Sequence, residues 1–166
     1  SKSAAYVGLF GRIGSKGKIC NLTIGEGSTV GGITKTGAFA GTLEGTIENC
    51  VNRATVTVTK GEAGGIAGNV SGYARLVDVR NYGDVVAEGS NQAGGIAGVV
   101  SGENIAIENA FNAGTVQAAQ KAAGIAGEGK GVTFTAVRNE GKVTAASMYG
   151  AGIVGLLSSP AGIRVA

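Results

Sequence analysis

The chain has 166 residues, of which 43% are hydrophobic and 15% charged, with 32 glycines, 1 proline and no histidine. This apolar content excludes a disordered glycine-rich linker, and glycine without a three-residue period excludes a collagen-like chain. The formal charge of +3 is spread along the sequence without a basic tract, and no apolar run reaches the ~20 residues of a membrane helix, so we expect neither nucleic-acid binding nor membrane insertion of this segment.

A glycine-rich core motif recurs along the whole chain. The large apolar residue of this Gly-Ile-Ala-Gly-like core stands at positions 9, 39, 66, 96, 125 and 153, in steps of 30, 27, 30, 29 and 28 residues. The corresponding repeats lie near 6–36, 37–62, 63–92, 93–122, 123–150 and 151–166. Two copies, AGGIAGNVSG from Ala63 and AGGIAGVVSG from Ala93, differ only at Asn69 and Val99, which indicates an outward position. We therefore predict one repeat domain over 1–166.

Two further columns of equivalent residues follow the core. An asparagine stands four residues before a valine in the middle repeats, at Asn52, Asn81, Asn112 and Asn139 before Val56, Val85, Val116 and Val143. The Asn-x-Gly step predicts a tight turn, since both residues tolerate positive φ, and the valine predicts a strand. Between core and turn lie Ile19, Ile47, Leu76, Ile107 and Phe134. Each repeat is thus predicted to hold three short strands. The sixth stops before its turn, so we expect a fragment of a longer chain.

Short strands with like residues in register predict an all-β fold, a parallel β-helix (β-solenoid) of about six coils of 27–30 residues. Glycine and β-branched residues interrupt every window that is long enough for the helices of a helical repeat, and the leucine-rich and calcium-binding β-roll patterns do not occur. Glycine in the first strand is expected to allow close backbone packing. The four turn asparagines are expected to form a ladder of stacked side-chain amides at one corner.

The sequence contains no catalytic or metal-binding pattern. Without histidine the commonest general base is missing, and the 11 acidic residues are scattered over the repeats. Glu48 and Glu108 share a column but are separated by Val77. The stretch from Gly124 to Gly131 resembles a phosphate-binding loop, but Gly131 stands where Ser or Thr must bind magnesium. We therefore predict a protein that is not an enzyme and needs no cofactor.

The two cysteines are predicted to be unpaired thiols. In the repeat alignment Cys50 shares a column with Leu22, whereas Cys20 shares one with Glu48. A disulfide needs convergent Cβ vectors and Cα atoms within about 7 Å, which two different columns do not favour. Cys50 is expected to act as a small core residue.

One column offers a candidate binding surface. The residues just before the turn asparagines are Val51, Arg80, Phe111 and Arg138. Stacked coils would therefore place Phe111 between two arginines, as a platform for an anionic or sugar ligand. The alternative is that the guanidinium groups only cover Phe111 and keep the surface soluble. Tyr82 and Tyr73 are the other aromatic residues expected to be exposed, and the remaining ones are expected to pack.

The second repeat, GAFAGTLEGTIENCVNRATVTV from Gly37 to Val58, resembles the GLUG motif, and the opening YVGLFGRI is similar to segments that begin arrays of this motif. GLUG repeats occur in tandem in large bacterial surface proteins, many from gut Bacteroidetes, and in surface-anchored peptidases that cleave immunoglobulin A. The resemblance implies a right-handed β-helical region of a secreted or cell-surface protein. The resemblance implies no catalytic residue.

From this resemblance we expect a non-enzymatic segment at the outer surface of a bacterium. It would act as an adhesin for a host or glycan ligand, or as a stiff scaffold that spaces neighbouring domains of the parent chain. The alternative is a β-helical carbohydrate-active or carbohydrate-binding domain. A carbohydrate-active domain would need a cleft with at least two converging carboxylates.

Overall fold

Every regular element in the described residues is a β-strand, and most of these strands are two to six residues long. The structure is a computed structural model that describes residues 5–89, 91–158 and 162–164. The predicted sixth repeat, 151–166, and the start of the predicted domain 1–166 lie partly outside the described residues. The strands follow one another in coils, and each coil pairs in parallel with the coil before it.

The first three coils contain five strands each. The first coil holds β1 (Tyr6–Val7), β2 (Phe10–Ile13), β3 (Lys18–Cys20), β4 (Thr23–Ile24) and β5 (Thr29–Gly32). The second holds β6 (Lys35–Gly37), β7 (Ala40–Leu43), β8 (Thr46–Glu48), β9 (Val51–Asn52) and β10 (Thr55–Val58). The third holds β11 (Glu62–Gly64), β12 (Ala67–Gly72), β13 (Arg75–Val77), β14 (Arg80–Asn81) and β15 (Val85–Ala87).

In the fourth and fifth coils the second and third strands merge into one long strand. The fourth coil holds β16 (Gln92–Gly94), β17 (Ala97–Glu108), β18 (Phe111–Asn112) and β19 (Val116–Ala118). The fifth holds β20 (Lys121–Ala123), β21 (Ala126–Thr135), β22 (Arg138–Asn139) and β23 (Val143–Ala145). The sixth begins with β24 (Tyr149–Ala151), β25 (Val154–Ser158) and β26 (Gly162–Arg164).

Four parallel sheets run along the solenoid. The first contains β1, β6, β11, β16, β20 and β24. The largest contains the second and third strands of every coil. A third contains β4, β9, β14, β18 and β22, and the fourth contains β5, β10, β15, β19 and β23. The described residues thus complete five coils and begin a sixth, which confirms the predicted all-β solenoid and approximately its coil number.

The predicted number of three strands per coil is wrong, because the first three coils hold five strands each and the fourth and fifth hold four. The core residue Ile66 lies in a bend between β11 and β12, so the backbone turns where a single strand was predicted. The two-residue strand β14 directs only Asn81 into the core, and an apolar periodicity cannot reveal a strand with one polar inward residue.

The core consists of apolar columns that run through the stacked coils. Ile47, Leu76 and Ile107 pair in register and are fully buried, as the repeat alignment predicts. Burial of one such side chain stabilises the fold by about 2 kcal/mol. In the column of the core motif, Phe39 and Ile66 are also fully buried. Leu9, which begins that column in the first coil, is 55% exposed, because a neighbouring coil covers it on one side only within the described residues.

Glycine in the core motif is required by close approach of neighbouring chain segments. A Cβ atom at Gly41 would lie 2.6 Å from the backbone nitrogen of Val7, so β7 can contact β1 only through glycine. A Cβ atom at Gly95 would overlap both the carbonyl oxygen of Gly124 and the side chain of Asn112. The predicted close backbone packing of this strand is confirmed, and the packing also involves an asparagine side chain.

The backbone adopts a left-handed conformation, with positive φ, three residues before each predicted turn asparagine. Positive φ angles occur at Asn21 (58°), Asn49 (49°), Asp78 (52°), Asn109 (49°) and Ala136 (51°). Asn81 and Asn112 lie in strands instead, so the predicted reason for an asparagine at these positions is wrong. Gly114 is also not needed for its φ angle: a Cβ atom there would overlap the carbonyl oxygen of Gly83 in the preceding coil.

Candidate functional site

A ladder of hydrogen-bonded asparagines lies in the interior, beneath the surface that carries the candidate site. The side-chain amide of Asn52 donates to Asn81 Oδ1, Asn81 donates to Asn112, and Asn112 donates to Asn139, each at 2.8 Å. Each amide also donates to the carbonyl oxygen two residues further on, for example from Asn81 to Gly83 at 2.8 Å. Because asparagine points inward in these two-residue strands, the residue before it points outward.

The outward residues of these strands form one column on the surface. Val51, Arg80, Phe111 and Arg138 are paired in register across β9, β14, β18 and β22. Arg80 and Arg138 are exposed, and Phe111 is half-buried. The structure therefore places the phenyl ring between two guanidinium-bearing residues, from the coils on either side.

A shallow groove of about 370 Å³ lies over this column. Its lining residues are Arg80, Tyr82, Asn109, Ala110, Phe111, Ala136 and Arg138. The left-handed corner residues Asn109 and Ala136 form one side, so the backbone bends away from the ring there. All four residues that the sequence singled out for ligand contact line this groove.

The aromatic rings and cations in and beside the groove contact one another in sequence. The Tyr82 and Phe111 rings meet edge to face, with centroids 5.8 Å apart and planes at 66°. The guanidinium carbon of Arg138 lies 5.8 Å from the Phe111 centroid, and that of Arg53 lies 4.6 Å from the Tyr82 centroid. These contacts hold the two rings in place, since each cation–π contact contributes about 0.5–1 kcal/mol at an exposed site.

The charges of the groove are unevenly compensated. Arg138 forms an ion pair with Glu140, and Arg53 forms one with Glu26 at 3.1 Å. Within the described part of the chain, Arg80 has no ion pair and no side-chain hydrogen bond, and no acidic side chain lines the groove. The groove can therefore offer a guanidinium group to an anion.

Arg53 lies beside the groove and is not among the residues predicted for ligand contact. It follows Asn52 directly, as Tyr82 follows Asn81, so the repeat alignment places both in the next column. A cation next to an aromatic residue in that column is the sequence signal for the contact between Arg53 and Tyr82. Tyr73 is exposed as predicted, at 68%, but Tyr6, Phe10 and Tyr149 are also exposed, which contradicts the expectation that the other aromatics pack.

The cysteines and carboxylates lie apart from the groove. Cys20 is exposed, Cys50 is buried and both are free thiols, as predicted. Glu48 pairs with Lys18 at 2.5 Å and Glu108 pairs with Arg75 at 3.1 Å, so these column neighbours bind cations instead of converging. In residues 5–89, 91–158 and 162–164, no three His, Cys, Asp or Glu side chains come close enough to hold a metal ion. The same residues include no helix with the length and apolar character of a membrane span.

Three comparisons with known proteins gave no match. No protein-family model, no curated protein and no solved structure matches it. The fold is therefore established by the strand pairing within the chain itself, and the resemblance to GLUG repeats rests on the sequence motifs described above.

Proposed function

We propose that this chain is a non-enzymatic repeat segment of a bacterial surface protein, in which a stiff β-solenoid presents a groove for an anionic glycan. The GLUG-like second repeat supports the cell-surface location. The coil-to-coil strand pairing and the buried asparagine ladder support the scaffold role, because each coil is hydrogen-bonded to its neighbours along the stack.

One observation carries the ligand part of the proposal: Arg80 lines the same groove as Phe111 from the neighbouring coil, and no acidic partner for it occurs among the described residues. A guanidinium group donates two parallel hydrogen bonds to a carboxylate. The apolar face of a sugar ring packs against an aromatic ring, which supplies contact area at little conformational cost. A carboxylated sugar, such as a uronic or sialic acid, combines both features.

The dimensions of the groove fit this ligand class. Its volume of about 370 Å³ lies within the range of roughly 300–1,000 Å³ that is usual for small-ligand sites. Arg138 holds Phe111 from the next coil while its charge is shared with Glu140. Arg80 is thus the group that would contact the carboxylate.

A glycan array followed by calorimetry tests the proposal. The array compares oligosaccharides that end in a uronic or sialic acid with their neutral counterparts, and we expect binding to the acidic set only. Arg80→Ala should weaken this binding roughly tenfold to hundredfold, because a hydrogen bond to a charged group contributes about 1.5–3 kcal/mol. Binding should also weaken with added salt, since the groove is open to solvent.

Two variants serve as matched probes. Phe111→Val removes the ring but introduces the residue that Val51 already supplies in this column, so the fold should persist while binding falls. Arg75→Ala removes an arginine that pairs with Glu108 outside the groove and should leave binding unchanged. Equal binding by all three variants would contradict the groove, and cleavage of the glycan during the assay would contradict a non-enzymatic role.

A further inference from the structure

A second pocket lies on a different part of the solenoid, where the first sheet meets the largest sheet in the first three coils. It has a volume of about 330 Å³. Its lining residues are Tyr6, Arg12, Lys35, Thr42, Glu44, Asn69 and Ser71. They come from β1, β2, β6, β7 and β12, or directly follow one of these strands. None of them lines the groove over Arg80, Phe111 and Arg138, which we call the arginine groove.

Thr42 is the residue that distinguishes this pocket from ordinary polar surface. Its side chain is only 8% exposed, yet its hydroxyl has no hydrogen-bond partner among the described residues. A buried hydroxyl without a partner costs about 1–3 kcal/mol, so the fold carries a polar group that a ligand could satisfy.

The groups around Thr42 are both donors and acceptors. Arg12 pairs with Glu44 at 2.6 Å, which leaves this side of the pocket nearly neutral. The side chains of Asn69 and Ser71 have no hydrogen bond to any other described residue. The Tyr6 ring is 53% exposed, and the Lys35 ammonium lies 5.7 Å from its centroid.

The equivalent columns of the fifth coil hold an ion pair. Lys121 and Glu128 there occupy the columns of Lys35 and Thr42, and they form a half-buried ion pair at 2.7 Å. In the second coil, threonine is too short to reach Lys35. The second coil thus has a threonine where the fifth coil has a glutamate, and its lysine lies against the Tyr6 ring instead of a carboxylate.

We propose that this pocket binds a neutral sugar ring. Hydroxyl groups that both donate and accept suit Thr42, Asn69 and the Arg12–Glu44 pair, while the exposed Tyr6 ring offers a surface for the apolar face of the sugar. The Glu44 carboxylate offsets the charge of Arg12, and the Lys35 ammonium lies against the Tyr6 ring, so this pocket offers no unpaired guanidinium group of the kind that Arg80 supplies. The site is independent of the arginine groove in residues, position and ligand charge.

An NMR titration of the ¹⁵N-labelled chain tests this site. The probes are the methyl glycosides of glucose, galactose, mannose and N-acetylglucosamine, with methyl glucuronide as the anionic comparison. We expect at least one neutral glycoside to shift the amide signals of Thr42, Asn69 and Ser71, and the glucuronide to shift them less. Arg80→Ala should not change this binding, so failure of one site is distinguishable from failure of the other.

Three variants separate ligand binding from folding. Thr42→Val removes the hydroxyl and should weaken the glycoside roughly threefold to tenfold, while the unfolding midpoint stays the same or rises. Thr42→Glu supplies the carboxylate that pairs with lysine in the fifth coil and should abolish binding. Asn69→Val copies Val99 in the same column and should weaken binding without loss of fold.

Thr144→Val is the matched control, because Thr144 is exposed on β23, in the fourth sheet. It should leave the titration unchanged. The proposal would be overturned if no neutral glycoside shifts these signals, if only the glucuronide does, or if binding persists in both Thr42→Val and Thr42→Glu.

Discussion

Asn81 accepts a hydrogen bond from Asn52 and donates to both Asn112 and Gly83, while its side chain is fully buried. A second row of hydrogen-bonded side chains, which includes Asn21 and Asn49, lies at the exposed left-handed corner. The two rows have the same chemistry but differ in burial. Since a buried polar group has no water to replace a lost partner, the inner row should matter far more for stability.

We predict that Asn81→Ala lowers the free energy of unfolding by about 3 kcal/mol, because it removes the acceptor of Asn52 and the donor to Asn112. Asn49→Ala is the control: its bond to Asn21 is exposed, and Ala136 already occupies the same corner with φ of 51°. It should cost at most about 1 kcal/mol. Chemical denaturation measures both, and equal losses would argue against the buried ladder.

Cys50 is fully buried, and this burial raises the pKa of its thiol above the ordinary value. We predict that iodoacetamide modifies Cys20 in the folded protein and reaches Cys50 only after unfolding. The unfolded chain releases the Cys50 proton at lower pH than the folded chain does. Stability should therefore fall as the pH rises through about 8.5. Mass spectrometry of the alkylated protein shows which cysteine is modified. Rapid labelling of both thiols in the folded protein would contradict the buried position of Cys50.

At the scale of elements, the core-motif glycines set the distance between strands. Gly95 lies between Gly124 of the next coil and the Asn112 side chain, whereas Gly152, in the same column, has open space where a Cβ atom would be. Glycine is thus required for packing at Gly95, where the next coil and an asparagine of the ladder lie close to it, but not at Gly152.

We predict that Gly95→Ala lowers the free energy of unfolding by about 3 kcal/mol or more, because its methyl group overlaps backbone atoms that cannot move without breaking coil pairing. Gly152→Ala should change it by less than about 0.5 kcal/mol. Thermal unfolding of both variants measures the difference. A neutral Gly95→Ala would mean that these strands do not approach as closely as described.

How far the sequence predicts these elements depends on which residues face inward. The columns of Ile47, Leu76 and Ile107, and of Val56 and Val85, could be read from the repeat because a large apolar side chain marks each position. The five-strand division could not, since bends and two-residue strands carry no apolar period. The left-handed corner was also hidden, because it accepts asparagine, aspartate and alanine alike.

At the scale of the whole molecule, both proposed sites depend on residues that differ between coils that otherwise repeat. The arginine groove joins side chains from three successive coils, and no single repeat contains it. Sequence alignment could bring Arg80, Phe111 and Arg138 together, because their column is in register with the ladder. It could not predict the pocket around Thr42, which depends on the reach of side chains across two sheets.

The in-register stack of coils is the claim on which both proposed sites rest, and the asparagine side-chain amides test it most directly. In a ¹⁵N-resolved NOE spectrum, we predict cross-peaks from the Asn81 amide protons to those of both Asn52 and Asn112, which lie 29 and 31 positions away. These protons should also exchange slowly with solvent, because the side chains are fully buried. Rapid exchange without such cross-peaks would contradict the solenoid stack described above.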